Sequence, residues 1–567
     1  MTEPTIEELE PTSTPPGSSP ATVSRPAGRF GIRWAIALVV VALVASASVA
    51  GAWFLAGQSG AATLAGWMPA DTVAYAEVRL DLPGDQRQQL GNFLAHFPGF
   101  ADQSILDDKL AETWDRLLRE ATDGKHDFSS EIRPWFGGEI AGGVASLPEP
   151  SAGGQVPHDA SGLVAVASKD DAAALAWLKK VSTEKSGSVR TESYAGGDLL
   201  VDDHGAAAVR DGALLLGDVT SVKSAIDRGP SGGLPAVDRF RAAVANVDDS
   251  RLGLVYVDLR RYVDWALALV KSAAPTVPPA LVEDVPDWFA GSLRADGDAL
   301  TIRAAMPHTA AAAASSNAAS TLSSRIPASA LAVIDQNDLG ASLRKAIDTA
   351  RTSAGSAGAD TFAQLDQAVG LLGGWDGALG WVGETAFVVD HDGSTPTGGV
   401  LIAPKDQAAA SRLASQVRGF IGLAGASAGI TSRDEQHAGT TVTIIGLPQA
   451  AGSPLPEVAF ALTDGLAAIG PTAWVERVLD TDQASSLAAD ARFSAALGRV
   501  DANHVGLAYA NLAGIRELVE SAAPASADER ALYDREVKPY LLPFDTVIST
   551  STVAGDVDRV HSVVIVK

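Results

Sequence analysis

An α+β fold, built twice in tandem behind one N-terminal transmembrane helix, is what this sequence predicts. Three observations lead there. An ordered set of landmarks recurs, one stretch near the start carries no charge, and short strand-like runs alternate with short helical ones. Pro69-Ala70-Asp71-Thr72-Val73-Ala74-Tyr75 answers to Pro327-Ala328-Ser329-Ala330-Leu331-Ala332-Val333, at a separation of 327−69 = 258. Lys169-Asp170-Asp171-Ala172-Ala173-Ala174 answers to Lys405-Asp406-Gln407-Ala408-Ala409-Ala410, at 405−169 = 236. The drift is what loop insertions produce, so each copy is one folding unit. A residue present in one copy only is then not essential to the shared fold.

The expected organisation, in order, is a tail (1–33), a transmembrane helix (34–55), a first α+β repeat (62–308), an Ala/Ser-rich linker (309–320) and a second α+β repeat (321–567). The tail is rich in Pro, Ser, Thr and Glu without apolar periodicity, and reads as disordered. From Trp34 to Leu55 there is no charge, over about the 20 residues that cross a hydrocarbon core of roughly 30 Å. Trp34 and Trp53 stand near its ends, where amphipathic rings favour the interface. Arg25, Arg29 and Arg33 precede it, and no Lys or Arg follows until Arg79. The positive-inside rule then predicts a single-pass protein of the cell membrane, N-terminus cytoplasmic and C-terminal bulk extracytoplasmic. Ala45-Ser46-Ala47 and Ser48-Val49-Ala50 resemble signal cleavage sites, but the apolar stretch and the polar region before it are longer than a signal peptide's.

Within each copy, Thr72–Leu80 and Ala330–Asp335 are apolar runs after a proline, as buried strands are. Leu106, Leu110, Trp114 and Leu117 share one helical face, as do Phe362, Leu365 and Val369. Trp135-Phe136-Gly137-Gly138-Glu139 and Trp381-Val382-Gly383-Glu384 each open a strand. The strands Leu163–Ala167 and Val400–Ala403 run into Ala-rich helices that Asp170 and Asp406 cap. Asp211-Gly212 and Asp464-Gly465 favour tight hairpin turns, and a helix follows each hairpin, Val219–Asp227 and Trp474–Asp480. Phe240 and Phe493 begin the next helices, Gly253 and Gly506 the next strands. The copies close with hairpins at Asp296-Gly297-Asp298 and Gly555-Asp556, whose strands interleave polar and apolar residues. The sum is a mainly antiparallel sheet with packed helices, twice.

The net charge of −25 is spread thinly: residues 1–33 hold four acids against three arginines, which leaves −24 for the rest. Without clustered Lys and Arg, nucleic acid is not an expected partner. There is no cysteine, which excludes disulfides, thiolate catalysis and cysteine zinc sites.

Chemistry is sparse. Gly425-Ala426-Ser427-Ala428-Gly429 matches the nucleophile-elbow pattern, but it follows a predicted helix where the motif needs a strand. The nine histidines are scattered, without the pair spacing of a helical metal site. Asp390-His391-Asp392-Gly393 and Asp202-Asp203-His204 read as turns. Neither a phosphate-binding loop nor a dinucleotide fingerprint occurs, so no cofactor and no metal are expected. The one acid kept in both copies after the Trp-containing strand start is Glu139 and Glu384. As a converging pair they are the catalytic candidates; as single residues, each bonds backbone N–H groups beside an unusual glycine turn.

Trp67-Met68-Pro69-Ala70-Asp71-Thr72-Val73-Ala74-Tyr75, the Trp-Phe-Gly-Gly-Glu strand start and the single N-terminal span together make a recognisable set. It resembles the membrane-anchored actinobacterial proteins catalogued as domain of unknown function three-three-five-two. The resemblance implies a cell-envelope protein with no assigned activity and carries over no catalytic residue. The expected function is therefore a non-catalytic binding or scaffold protein, tethered through Trp34 to Leu55, with an envelope protein or a lipid as partner. The alternatives are an envelope hydrolase using Glu139 or Glu384, and a lipid-binding module with an apolar groove between helices and sheet.

Overall fold

The structure is a computed structural model. It describes residues 64–567 except 81, 83, 103–105, 123, 148–160, 185–188, 204, 274–284, 310–315, 355–358, 425–428, 448–456 and 523–525. The class is α+β, with every strand pairing antiparallel. One part of the expected fold is corrected: among the described residues no helix is long and apolar enough to cross a membrane. The tail and the stretch from Trp34 to Leu55, which the prediction used, lie outside the described residues.

The first copy contributes β1 (Ala74–Arg79), β2 (Phe136–Ser146), β3 (Ser161–Ser168), β4 (Arg190–Tyr194) and β5 (Gly197–Asp202). β6 (Gly205–Arg210), β7 (Ala213–Gly217), β8 (Gly253–Val257), β9 (Phe289–Ala295) and β10 (Ala299–Pro307) complete it. The second copy repeats the series as β11 (Ala332–Gln336), β12 (Val382–Asp392), β13 (Thr395–Pro404), β14 (Thr431–His437) and β15 (Thr440–Gly446). Its remainder is β16 (Glu457–Thr463), β17 (Leu466–Gly470), β18 (Gly506–Asn511), β19 (Phe544–Ala554) and β20 (Val557–Val566). In the first copy the spatial order is β4-β5-β6-β7-β3-β2-β1-β8-β9-β10. The second copy has the same order, strand for strand.

The two sheets do not stay separate, and this is a second correction. β10 pairs with β20 from Ala299↔Ile565 to Pro307↔Val557, which makes one 20-stranded sheet. The repeat offset here is 557−299 = 565−307 = 258, the value that relates the Pro-Ala landmarks. Residues that pair across the seam therefore exchange places under the duplication. Arg303, opposite His561 (561−303 = 258), marks the local two-fold. Their acidic neighbours are symmetric too: Arg303 lies 3.3 Å from Asp248 and His561 lies 3.6 Å from Asp501. Alternating polarity tells which face of a strand is buried and leaves open which edge finds a partner, so the seam was invisible to pattern reading.

Local chemistry explains the rest. Asp170 and Asp406 accept the N–H groups of Ala173 (3.0 Å) and Ala409 (2.9 Å), capping the helices Asp171–Glu184 and Gln407–Ala424. Asp211 (φ 41°) and Gly212 (φ 78°) supply the two positive φ values of a tight hairpin. Phe240 meets Tyr256 edge-on at 5.0 Å, and Phe493 meets Tyr509 the same way at 5.0 Å. In each copy that pair belongs to a core on one sheet face, packed beneath the helices Val219–Arg228 and Asp238–Val244 or Thr472–Asp480 and Ala491–Leu497. The other faces differ. The first copy packs Leu90, Phe93, Phe128, Trp135, Phe136 and Leu178 there with many more, whereas among the described residues the second has a smaller cluster of Trp381, Val382, Ile402, Ala410 and Ala467.

Candidate functional site

The two candidate carboxylates do equivalent structural jobs. Glu139 is buried, and one of its oxygens accepts the N–H of Leu64 at 2.9 Å. Leu64 begins the buried 3-10 turn Leu64–Trp67. Glu384 accepts the N–H groups of Thr321 (2.8 Å) and Leu322 (2.9 Å), the Ser320 hydroxyl (2.9 Å) and the Thr321 hydroxyl. Leu322–Ser324 is the matching 3-10 turn. An anion suits the free N–H groups of a helical turn, so each glutamate fastens the opening turn of its own copy to the sheet. Part of the 309–320 stretch is ordered by the same contacts, and Ala318 exchanges two 3.0 Å backbone hydrogen bonds with His504.

Beside each glutamate sits a second buried acid, and here the copies part. In the first, Glu77 accepts the Tyr75 hydroxyl at 2.6 Å and the Arg251 guanidinium at 3.0 Å, while Arg79 lies opposite Glu139 in the β1–β2 ladder. Two acids thus share a buried region with two arginines. In the second, Asp335 replaces Glu77 (335−77 = 258), Val333 replaces Tyr75 and Asn337 replaces Arg79. His504 stands for Arg251 at the offset of 253 that relates Gly253 to Gly506. Asp335 is 3% exposed; neither of its oxygens meets a partner in good hydrogen-bonding geometry, although Ser320 and Glu384 stand close enough to bear on its charge. Burial, and then the charge of Glu384 across the β11–β12 ladder, pushes its pKa up from 3.8 to about 7. Buried His504 gives Nδ1 to the Asp501 carbonyl region at 3.2 Å and leaves Nε2 without a partner.

The sparse second face holds a cavity of about 240 Å³ between the Gln407–Ala424 helix and strands β15, β16 and β17. The helix contributes Leu413, Ala414, Val417, Arg418 and Ile421, and the sheet contributes Thr443, Ile445, Phe460, Leu462 and Ile469 above Trp381. The first copy fills the equivalent space. At the helix offset of 236, Leu413 and Ala414 correspond to Trp177 and Leu178. Trp177 packs on Trp135 at 5.3 Å and Leu178 is buried. Loss of an indole and a branched chain opens the second copy. Arg418 Nε donates to the Thr443 hydroxyl at 2.9 Å, and Thr443 donates to Asp434 at 2.7 Å. Elsewhere on the same helix Phe420 and Leu423 are exposed and do not line the cavity.

The sequence reading did not find the cavity or Asp335. Its signals were present: Trp177-Leu178 aligned with Leu413-Ala414, and an acid inside the apolar run of β11. The other polar motifs do not join the site. Asp390-His391-Asp392-Gly393 is the β12–β13 hairpin, where Arg477 bonds Asp390 (3.2 Å) and the His391 carbonyl (2.9 Å). Asp202 accepts the N–H of Gly205 at 2.8 Å in the β5–β6 turn. Residues 425–428, most of the serine motif, and His204 lie outside the described residues. Among the described residues no group of three potential ligands is placed to hold a metal.

A family model described as protein of unknown function (DUF3352) matches residues 36–419. No curated protein matches the chain. Among solved structures, it is similar to crystal form III of TP0453, at 9% identity and a TM-score of 0.21, covering 43% of this chain and 78% of that one. Crystal form I of TP0453 is similar at 7% identity and a TM-score of 0.22, covering 44% and 79%. Likeness at that level carries no argument about function.

Proposed function

We propose, for a chain that belongs to the DUF3352 family of proteins of unknown function, that it is a binding protein whose second copy takes an apolar chain and whose first copy is the rigid support. One observation carries the reading: the apolar cavity that lies between helix and sheet where Trp177 and Leu178 become Leu413 and Ala414. A dry cavity lined by such side chains binds apolar molecules, because the empty walls forfeit dispersion contacts that a ligand restores. Glu139 and Glu384 support this reading better than a hydrolytic one, since one oxygen of Glu139 and both of Glu384 are engaged by the opening turns.

The test is a neutral, environment-sensitive dye such as N-phenyl-1-naphthylamine. The natural protein should show saturable one-site enhancement, and L413W/A414L, which copies the filled repeat, should lose it while unfolding at the same urea concentration or higher. Equal enhancement by both proteins would remove the proposal. Placement at the cell envelope belongs to the same proposal and is supported by sequence alone, through the three arginines ahead of the uncharged stretch from Trp34 to Leu55. A C-terminal phosphatase reporter, active only outside the cytoplasm, tests it; activity confined to a cytoplasmic reporter would overturn it.

A further inference from the structure

Resting on the cavity reading above, we infer that the ligand is an amphiphile with a carboxylate head, an acyl chain whose anion is received by Arg418. Among the described residues, Arg418 is the one charged residue lining the cavity. Its Nε is held by the buried Thr443 hydroxyl, itself held by Asp434. No ion pair with a carboxylate forms at its guanidinium among the described residues. Its two terminal nitrogens carry no such partner, and their planar fork matches a carboxylate's two oxygens outside the cavity walls, which expose almost no polar atom.

The comparison between copies sharpens this. At the position of Arg418 the first copy has Ser182 (418−236), which bonds the Leu178 carbonyl at 2.7 Å. At the position of Thr443 it has buried Leu200, by the offset of 243 that relates Ala195-Gly196 to Ala438-Gly439. The cation and its hydroxyl support thus occur where the space opens and not where it is filled. An arginine that merely snorkels along apolar surface needs no buried hydroxyl to fix it.

Size sets the chain. An apolar cavity of ~150 Å³ takes benzene, roughly 25 Å³ per carbon, so about 240 Å³ accommodates about ten carbons.

Isothermal titration of the full chain with decanoate and with decanol, both below their micellar concentrations, separates the head from the tail. Decanoate should bind at least tenfold more tightly than decanol. In R418M decanoate affinity should fall at least tenfold with decanol unchanged, and R418K should fall between. If both ligands bind natural protein and R418M alike, the carboxylate assignment is overturned while the apolar cavity stands. If neither binds natural protein, the cavity reading falls and this inference with it.

Discussion

Two copies of one fold treat a pair of neighbouring acids, buried but for half-exposed Glu384, in opposite ways. The first surrounds Glu77 with Tyr75 and Arg251 and sets Arg79 across from Glu139. The second keeps both acids, as Asp335 and Glu384, and replaces both arginines by Asn337 and His504. The scaffold is indifferent to the exchange: strand order, opening turns, hairpins and the Phe–Tyr edge contacts persist in both. What the duplication preserved is what holds the sheet together. What it let diverge, charge balance and the filling of one face, is concentrated in the second copy, where the cavity also lies.

The largest way to break the comparison is to remove the arginine from the balanced copy. Arg251 and Glu77 are both buried, and deleting one partner of a buried ion pair leaves an uncompensated charge at about 3–5 kcal/mol. R251M should therefore lower stability by about that much in urea unfolding, and R251M/E77Q should recover most of it. A loss under ~1 kcal/mol in R251M would mean that the first copy tolerates its acids as the second does, and the contrast would collapse.

The second copy should respond in the other direction. Asp335 has a folded-state pKa of about 7 against 3.8, so the folded chain holds a proton that the unfolded chain has released. Stability then falls as pH rises from about 4 to about 7 and is level beyond. At 1.36 kcal/mol per pKa unit the whole difference is roughly 4 kcal/mol. D335N removes the charge and keeps the shape, with an amide able to donate to Glu384. It should gain about 2–4 kcal/mol above pH 7 and little at pH 4. Stability curves for D335N and natural protein that run parallel from pH 4 to 8 would show that Asp335 does not carry this titration.

Much of this architecture was legible because its determinants are local. Asp211-Gly212 makes its turn through its own backbone, and Asp170 caps a helix three residues away. Comparing copies extended that reach to Glu139 and Glu384, although their partners, 75 and 62 residues distant, come from outside any motif. The seam was not legible, since nothing in β10 or β20 names its partner across 258 residues. The Leu339–Ala354 helix also escaped, because its place in the first copy is taken by the shorter Gln86–Leu94 helix and the landmarks do not align there. The cavity is an absence of volume, which shows in sequence only when Leu413-Ala414 is set beside Trp177-Leu178.

The seam itself offers the smallest and finest test. Arg303 and His561 face each other at the local two-fold. Burial first, and the Arg303 charge second, hold the His561 pKa below 6.5, while Asp501 and Asp248 oppose the shift. The folded chain therefore keeps this imidazole neutral after the unfolded one has begun to take up protons, and stability declines as pH falls below 6.5. H561Q should flatten that decline and otherwise change stability by under ~1 kcal/mol, the scale of a cross-strand pair. Because the slope opposes that of Asp335, the two partly cancel between about pH 5 and 7, above the range in which the depressed carboxylates Glu131, Asp298 and Asp545 titrate. H561Q alone should steepen the net fall toward neutral pH, D335N alone should expose the acid decline, and H561Q/D335N should be nearly flat from about pH 5 to 7. A double variant that keeps either slope would place the responsible group elsewhere in the sheet.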